Sequence, residues 1–239
     1  MSPEPCGVLL IDKAGDFTSH DVVAVARRAL NTKKIGHCGT LDPMATGLLM
    51  LVVGRATKIQ DLLMSEDKEY RGTLTLGKVT SSQDKEGEVI AEHPVGDFSE
   101  AQIREAFDSL LGDFEQMPPM VSAIKINGVP LYKMARKGQE VERKTRAVTV
   151  FGYEIHRIEL PEVEFTVRCT KGFYVRTYAH DIGQKLGCGA HLSALRRTRS
   201  GKFTLDRAVT IDELKTLPRA ELMSRLVSLA EISLMRGVS

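Results

Sequence analysis

An alternation of apolar and polar residues in the second half of the chain restricts the fold more than any other feature. Its apolar members are Val163, Phe165, Val167 and Cys169, with polar or charged residues between them. A period of two places these four side chains on one face of a β-strand. A similar period at residues 148–152 predicts a second strand that pairs with the first as a hairpin. The chain therefore contains a sheet with at least one buried face.

Helical patterns lie between the predicted strands. We predict further strands at residues 7–12, 47–53 and 69–76, and a loop at residues 33–43. The predicted helices follow Ser19, Ser99 and Tyr174 and cover residues 56–64, and two short helices end the chain. In the helix after Ser99, we expect Ile103, Phe107, Leu110 and Leu111 to face inward. Strands mixed with helices, without repeats or a linker, predict one α+β domain.

Composition excludes several classes of protein. With 239 residues, 42% apolar and 27% charged, the chain has an ordinary globular composition. Its longest apolar run, residues 48–53, is too short to span a bilayer. No signal peptide is recognisable at the start, so we expect a cytoplasmic protein.

Neither the cysteines nor the net charge indicates a ligand. The four cysteines are far apart and form no CxxC pair, so we expect free thiols and no metal site. The net charge of +2 indicates no nucleic-acid partner, and only the distribution of charge can do so.

The best candidate for chemistry is the string GHCGTLDPMATG at residues 36–47. Pro43 restricts Asp42 to extended geometry, and small residues around it leave room for a flat ligand. A lone Asp-Pro pair is more often part of a turn. The whole string, however, resembles the defining motif of the TruB family of pseudouridine synthases, GH-x-G-x-LDP-x-ATG. The family's catalytic aspartate corresponds to Asp42.

Further segments resemble the same family over residues 7 to about 205. They are residues 7–13 with Thr18-Ser19, Lys68-Glu69-Tyr70, residues 80–87, 118–128, 172–176 and 195–201. The sequence departs from the family at Ala14, where proline is usual.

The resemblance implies a fold and an activity. The fold is α+β, with a central mixed, mainly antiparallel sheet flanked by helices and loops. The activity is isomerisation of uridine to pseudouridine in the T loop of tRNA, at position 55, without a cofactor. A carboxylate could attack C1′ or C6 of the nucleoside or remove the 2′ proton, and the sequence does not separate these routes.

The resemblance also implies roles for individual residues. Arg176 pairs with Asp42, which agrees with the ability of a guanidinium to hold a buried carboxylate ionised. Tyr70 stacks on the target base, although packing in a strand is the simpler explanation for a tyrosine in this pattern. Tyr174 has the same two explanations.

Four more residues are assigned to the substrate or the RNA. His37 fills the stack that the extruded uridine leaves, unless it is an ordinary loop histidine. Asp84 orients the sugar or Tyr70, unless it belongs to a solvated acidic turn. Leu195 lines the pocket, and Lys13 contacts the substrate or the RNA.

Two dense basic clusters are compatible with an RNA backbone as partner. The first contains Lys133, Arg136, Lys137, Arg143, Lys144 and Arg146, and the second contains Arg196, Arg197, Arg199 and Lys202. The expected partner is the T-arm stem-loop of tRNA, bound by a monomer without metal or membrane.

We expect a catalytic domain at residues 1–205 and a short helical extension at 206–239, without a full PUA domain. Two alternatives to this function remain. One is an RNA-binding protein that helps tRNA to fold without chemistry, which the presence of both Asp42 and Arg176 disfavours. The other is a guide-RNA-dependent relative, which the expected lack of a PUA domain disfavours.

Overall fold

A computed structural model describes residues 4–120, 125–126, 129–130 and 143–237 of the chain. The chain divides into two compact units. Unit 1 consists of Met1–Glu69 and Arg196–Ser239, and unit 2 consists of Tyr70–Leu195. None of the described helices is long and apolar enough to cross a membrane.

The described residues form strands and helices with the following bounds. The strands are β1 (Gly7–Lys13), β2 (Ile35–Cys38), β3 (Thr46–Val53), β4 (Lys68–Leu76), β5 (Lys78–Thr80), β6 (Val89–Glu92), β7 (Gly112–Gln116), β8 (Lys125–Ile126), β9 (Val129–Pro130), β10 (Arg146–Glu159), β11 (Glu162–Cys169), β12 (Ala190–Ser200) and β13 (Val209–Thr210). The helices are α1 (Ser19–Ala29), α2 (Gln60–Met64), α3 (Glu100–Asp108), α4 (Val175–Lys185), α5 (Ile211–Thr216), α6 (Arg219–Ser224) and α7 (Leu229–Met235), and a 3₁₀ helix covers Gly54–Ile59.

Unit 1 is built on the antiparallel pair β1 and β3, which are almost entirely buried. β13 runs parallel to β1, and β2 pairs antiparallel with β3. β12 runs parallel to β3 at Arg196 and Arg197. Runs of apolar residues without alternation, such as those of β1 and β3, are typical of strands covered on both faces.

Helix α1 begins with a capping box in which Thr18 and Asp21 accept each other's backbone N–H. The sequence predicted that the helix begins after Ser19, but Ser19 is its first residue and is buried. Near the end of the chain the structure has three short helices, α5 to α7, where the sequence predicted two. The first of them begins with a capping box between Thr210 and Glu213 and ends before Pro218.

Unit 2 contains the predicted hairpin, formed by β10 and β11. Within the sheet the strand order is β12-β4-β11-β10-β7. Aromatic rings join the helices to this hairpin: Phe107 of α3 lies 5.4 Å from Phe165 of β11 and 5.7 Å from Tyr178 of α4, between ring centroids. All three rings are fully buried, so they form the centre of the core of unit 2.

The predicted fold class is confirmed, because the pairs β1/β13 and β3/β12 are parallel and the pairs β1/β3, β2/β3, β7/β10 and β10/β11 are antiparallel. Two further local predictions are wrong. Residues 33–43 contain strand β2, which pairs with β3 although its own sequence does not alternate. Leu111 is 49% exposed, because it follows the last turn of α3. Strand β12 was not predicted, because charged residues hide its apolar pattern.

Some predictions fall outside the described residues. They concern Ser122, Ala123, Ile124, Asn127 and Gly128 of the 118–128 motif, and Lys133, Arg136 and Lys137 of the first basic cluster.

Candidate active site

Asp42 lies in the loop between β2 and β3, and the peptide groups on both sides of it are fixed. Leu41 donates its N–H to the Ser19 hydroxyl at 3.0 Å, and that hydroxyl donates to the Leu41 carbonyl at 3.2 Å. The Pro43 carbonyl accepts from the Asp16 N–H at 3.0 Å and from Lys13 Nζ at 3.1 Å. The Asp42 side chain is half-buried, so the loop presents a carboxylate on a rigid backbone.

The loop is also a β-turn, as a lone Asp-Pro pair suggests. Ala45 donates its N–H to the Asp42 carbonyl at 3.0 Å, which puts Asp42 at the first position and Pro43 at the second. The turn does not compete with a chemical role, because it uses the main chain of Asp42 and not its carboxylate.

A buried arginine holds the two ends of this loop. Arg197 on β12 is 2% exposed, and it donates from Nε to the Leu48 carbonyl at 2.7 Å and from Nη2 to the Gly39 carbonyl at 3.2 Å. Gly47 makes this approach possible, since a Cβ there would lie 2.3 Å from the Arg197 carbonyl oxygen. The φ angle of Gly47, +93°, is also unsuitable for other residues.

Lys13, which the sequence assigned to substrate or RNA contact, is fully buried. Its ammonium group donates to the carbonyls of Ala14, Phe17 and Pro43 at 2.9, 2.7 and 3.1 Å. The Lys13 ammonium group is thus directed at backbone carbonyls, and its assignment to substrate or RNA stays a prediction. Lys13 fixes the peptide that follows Pro43.

His37 lies on β2, and its ring is half-buried. Burial lowers its pKa to about 4, with smaller contributions from His20 and Arg197. Its Nδ1 is buried and has no hydrogen-bond partner among the described residues, and its ring meets that of His20 edge-on at 5.2 Å. At neutral pH it is an uncharged ring, which suits stacking.

In unit 2, Arg176 and Asp84 form a buried ion pair. Arg176 Nη1 lies 3.4 Å from Asp84 Oδ2, and their side chains are only 3% and 4% exposed. The same nitrogen donates to the Ser82 carbonyl at 3.0 Å. The alternative explanation of Asp84 as a solvated acidic residue is therefore wrong.

The segment that carries Asp84 is held at several points. Asp84 accepts from the Glu86 N–H at 3.0 Å and from the Ser82 hydroxyl, and its carbonyl accepts from the Thr80 hydroxyl at 2.6 Å. A β-bridge joins Asp84 to Leu192 of β12. The position of the Arg176 guanidinium is thus set by a rigid carboxylate.

Tyr174 precedes α4, and its backbone is held by the amide of Gln116. Tyr174 donates its N–H to Gln116 Oε1 at 2.8 Å, and Gln116 Nε2 donates to the Tyr174 carbonyl at 3.1 Å. The Tyr174 side chain is half-buried, whereas Tyr70 and Leu195 are each 9% exposed.

The predicted residues thus fall into two groups. Asp42, His37 and Lys13 belong to unit 1, and the other five, Arg176, Asp84, Tyr70, Tyr174 and Leu195, belong to unit 2. Sequence reasoning missed Ser19, Arg197 and Gln116, which position the backbone around Asp42 and Tyr174. Ser19 and Arg197 lie in segments that resemble the family, but no local pattern indicates the backbone groups that they hold, because each acts on a residue distant in sequence.

The three arginines and one lysine of the second predicted basic cluster differ in exposure and pairing. Arg197 is buried, Arg196 pairs with Asp12 at 2.7 Å, and Arg199 pairs with Glu69 at 3.3 Å. Only Lys202 of the four is exposed without an ion pair among the described residues. In all the residues that the structure describes, no group of three or more His, Cys, Asp or Glu side chains is placed to hold a metal.

Comparison with known families accounts for this arrangement. The N-terminal domain of TruB family pseudouridylate synthases matches residues 27–175, and the tRNA pseudouridylate synthase B C-terminal domain matches residues 176–231. The chain belongs to the TruB family. Among its TruB relatives, the tRNA pseudouridine synthase B of Opitutus terrae is 59% identical over 221 residues, which are 92% of each chain. That of Syntrophotalea carbinolica is 48% identical over 225 residues, which are 94% of this chain and 74% of the relative.

Solved structures of similar fold include a Cbf5–Nop10–Gar1 complex and an H/ACA RNP bound to a substrate RNA. The first matches with a TM-score of 0.69 and 34% identity, and it covers 87% of this chain and 53% of its own. The second matches with a TM-score of 0.65 and 31% identity, over 87% of this chain and 51% of its own. This TruB chain therefore spans about half the length of those two proteins.

Proposed function

We propose that this TruB chain isomerises uridine to pseudouridine in the T loop of tRNA, at position 55, and that Asp42 is the catalytic residue. The enzyme acts as a monomer on the T-arm stem-loop and uses neither a metal nor a cofactor. Family membership and the fixed Asp42 loop support this proposal. The observation that carries it is the pair of anchored peptides, Leu41 to Ser19 and Pro43 to Lys13, on either side of one carboxylate.

The reaction needs no redox partner. The bond from ribose C1′ to uracil N1 breaks, a bond from C1′ to C5 forms, C5 loses its proton and N1 gains one. Atoms and electrons balance within the nucleoside, so a carboxylate in a fixed position is sufficient. Attack at C1′, attack at C6 and removal of the 2′ proton are all compatible with a carboxylate at residue 42.

Arg176 is proposed to hold the Asp42 carboxylate ionised. A guanidinium has five N–H donors on three nitrogens, and Asp84 and Ser82 engage one of those nitrogens, Nη1. The buried ion pair with Asp84 fixes the guanidinium in position, so Asp84 acts through Arg176. Lysine presents a single ammonium group and cannot reproduce this double role.

The remaining residues are proposed to hold the extruded base. Tyr70 stacks on it, Tyr174 and Leu195 line its pocket, and the neutral ring of His37 fills the vacated stack in the RNA. Stacking of a base on an aromatic ring contributes roughly 1–3 kcal/mol. We further propose that residues 1–205 carry the chemistry and that the helical segment 206–239 belongs to the same domain.

A T-arm hairpin labelled with tritium at C5 of the target uridine tests the proposal. The enzyme should release tritium, and Asp42→Asn should abolish the release while it binds the hairpin with unchanged affinity. Asp16→Asn is the matched control: Asp16 is exposed, and its φ of +65° is one that asparagine tolerates. This variant should release tritium at the normal rate.

Normal release by Asp42→Asn would refute the catalytic assignment. If the wild-type protein binds the hairpin but releases no tritium, it is an RNA-binding protein that performs no chemistry on this RNA.

A further inference from the structure

Unit 1 carries a group of exposed basic side chains that is separate from both clusters predicted from the sequence. We call this group the α1–β2 patch. It consists of Arg27, Arg28, Lys33, Lys34, Arg55 and Lys58.

Hydrogen bonds to backbone carbonyls bring the three segments of the patch together. The end of α1 meets β2, because Arg27 Nη2 donates to the Ile35 carbonyl at 3.1 Å. The 3₁₀ helix meets the start of β2, because Gly54 donates its N–H to the Lys34 carbonyl at 2.8 Å. Residues up to 31 positions apart in sequence thus share one end of the β2/β3 pair.

The charges of the patch are not compensated by neighbouring carboxylates. None of its six side chains forms an ion pair with any residue in the described ranges. The acidic residues nearest to it in sequence are Asp61, which follows Lys58 by three positions, and Asp21, which precedes Arg27 by six and accepts from Thr18 in the capping box of α1. Other exposed arginines of the protein do pair with carboxylates, as Arg104 does with Glu100.

The net charge of the chain is only +2. Uncompensated positive charges that lie together on its surface repel one another, which destabilises the folded state, and they attract polyanions. Within the described ranges the patch does not serve the fold through ion pairs, and Arg27 is its one side chain with a hydrogen bond that links two elements. The patch therefore has the properties of a surface for an anionic ligand.

The position of the patch relates it to the proposed site. β2 leads directly from Lys34 to His37, a distance of about 10 Å at roughly 3.3 Å per residue. One strand of a DNA duplex carries a phosphate about every 3.4 Å along its axis, and we take this spacing as the order of magnitude for an RNA stem. The patch thus begins about three phosphates away from the ring proposed to enter the RNA stack.

We propose that the α1–β2 patch binds the phosphate backbone of the RNA stem next to the target loop. The proposal rests on the proposed function, because it takes the RNA substrate as the ligand. Lys33, Lys34, Arg55 and Lys58 contact phosphates without reading sequence, so the patch contributes affinity and register.

The test compares two variants that lose the same charge. The patch variant is K33Q/K34Q/R55Q/K58Q, which keeps Arg27 and its structural hydrogen bond. The control variant is R104Q/R157Q/R207Q/R225Q, in which each arginine is exposed and already paired with glutamate. Affinity for a T-arm hairpin is measured by fluorescence anisotropy over a range of salt concentrations.

The slope of log Kd against log salt concentration should fall by about 2–4 in the patch variant, since each lost phosphate contact removes roughly 0.9. At about 0.1 M salt this corresponds to a loss of roughly eightfold in affinity for each contact, and near 1 M the loss should vanish. In turnover assays KM should rise more than kcat falls. The control variant should keep the wild-type slope within about 0.5.

An unchanged slope in the patch variant, or an equal loss in the control, would overturn the proposal. If the fourfold variant does not fold, as judged by circular dichroism, the two pairs K33Q/K34Q and R55Q/K58Q replace it, each with an expected change of about 1–2 in slope. If the wild-type protein binds the hairpin but forms no pseudouridine, the proposed function fails and the slope still tests the patch. If it forms pseudouridine and the patch variant binds normally, only the patch proposal fails.

Discussion

Replacing Arg197 by methionine should weaken both the fold of unit 1 and the chemistry at Asp42. Methionine keeps an unbranched apolar stem, but it is shorter than arginine and donates no hydrogen bond. The change removes two charge-assisted hydrogen bonds, to the carbonyls of Leu48 at 2.7 Å and Gly39 at 3.2 Å. Each such bond contributes roughly 1.5–3 kcal/mol, and the relief of a buried charge offsets part of the loss.

We therefore expect the free energy of unfolding to fall by about 2–4 kcal/mol, measured by urea denaturation. We also expect kcat for pseudouridine formation to fall by roughly 10–100-fold, because a displacement of about 1 Å at a catalytic group can cost that much. Affinity for the hairpin should change little, since Arg197 is 2% exposed and offers no surface to RNA. Arg197→Lys, which can reach only one of the two carbonyls, should lie between the wild type and methionine.

Arg196→Gln is the matched control on the neighbouring residue of β12. Arg196 forms a partly exposed ion pair with Asp12, so its loss should cost no more than about 1 kcal/mol and should leave kcat unchanged. A methionine variant with wild-type stability and kcat would refute the argument that Arg197 holds the Asp42 loop. Loss of hairpin affinity without loss of kcat would also refute it, because it would make Arg197 an RNA contact.

Three further predictions follow from single contacts. Gly47→Ala should lower the free energy of unfolding by at least about 3 kcal/mol, measured in urea, because its Cβ would lie 2.3 Å from a backbone oxygen. Gly15→Ala is the control and should have little effect, since its Cβ would meet nothing closer than 4.0 Å. The pKa of His37 is lowered from 6.5 to about 4, so the folded state resists protonation and loses up to about 3 kcal/mol as the pH falls from 6.5 to 4. His37→Gln should remove this part of the pH dependence of the free energy of unfolding. A variant whose stability depends on pH as the wild type's does would contradict the lowered pKa of His37. Asp84→Asn should lower the free energy of unfolding by roughly 3 kcal/mol and reduce kcat, because it leaves the buried charge of Arg176 without its carboxylate. A variant as stable as the wild type would exclude a structural role for the ion pair.

The sequence could predict the parts of the molecule that have a local pattern. The alternation around Phe165 gave strand β11 and its hairpin, and the capping box at Ser99 gave helix α3. The string around Asp42 identified the family, which the comparisons confirm. The roles of the individual site residues stay predictions.

The sequence could not predict parts that depend on distant partners. Strand β2 has four residues and exists because β3 lies beside it. Arginine is usually a surface residue, so the sequence predicts an exposed Arg197. Its burial is favourable because the carbonyls of Leu48 and Gly39 accept its hydrogen bonds. The α1–β2 patch combines residues from three segments, so no single window of sequence contains it.

The hydrogen bond between Arg197 and Leu48 joins residues that are 149 positions apart. During synthesis the Asp42 loop leaves the ribosome long before the strand that fixes it. A nascent chain that stops short of Arg197 contains the whole signature motif and yet lacks the arginine that closes the loop. If Arg197 holds the catalytic loop as proposed, competence for catalysis is acquired late in translation, when most of the polypeptide has already emerged.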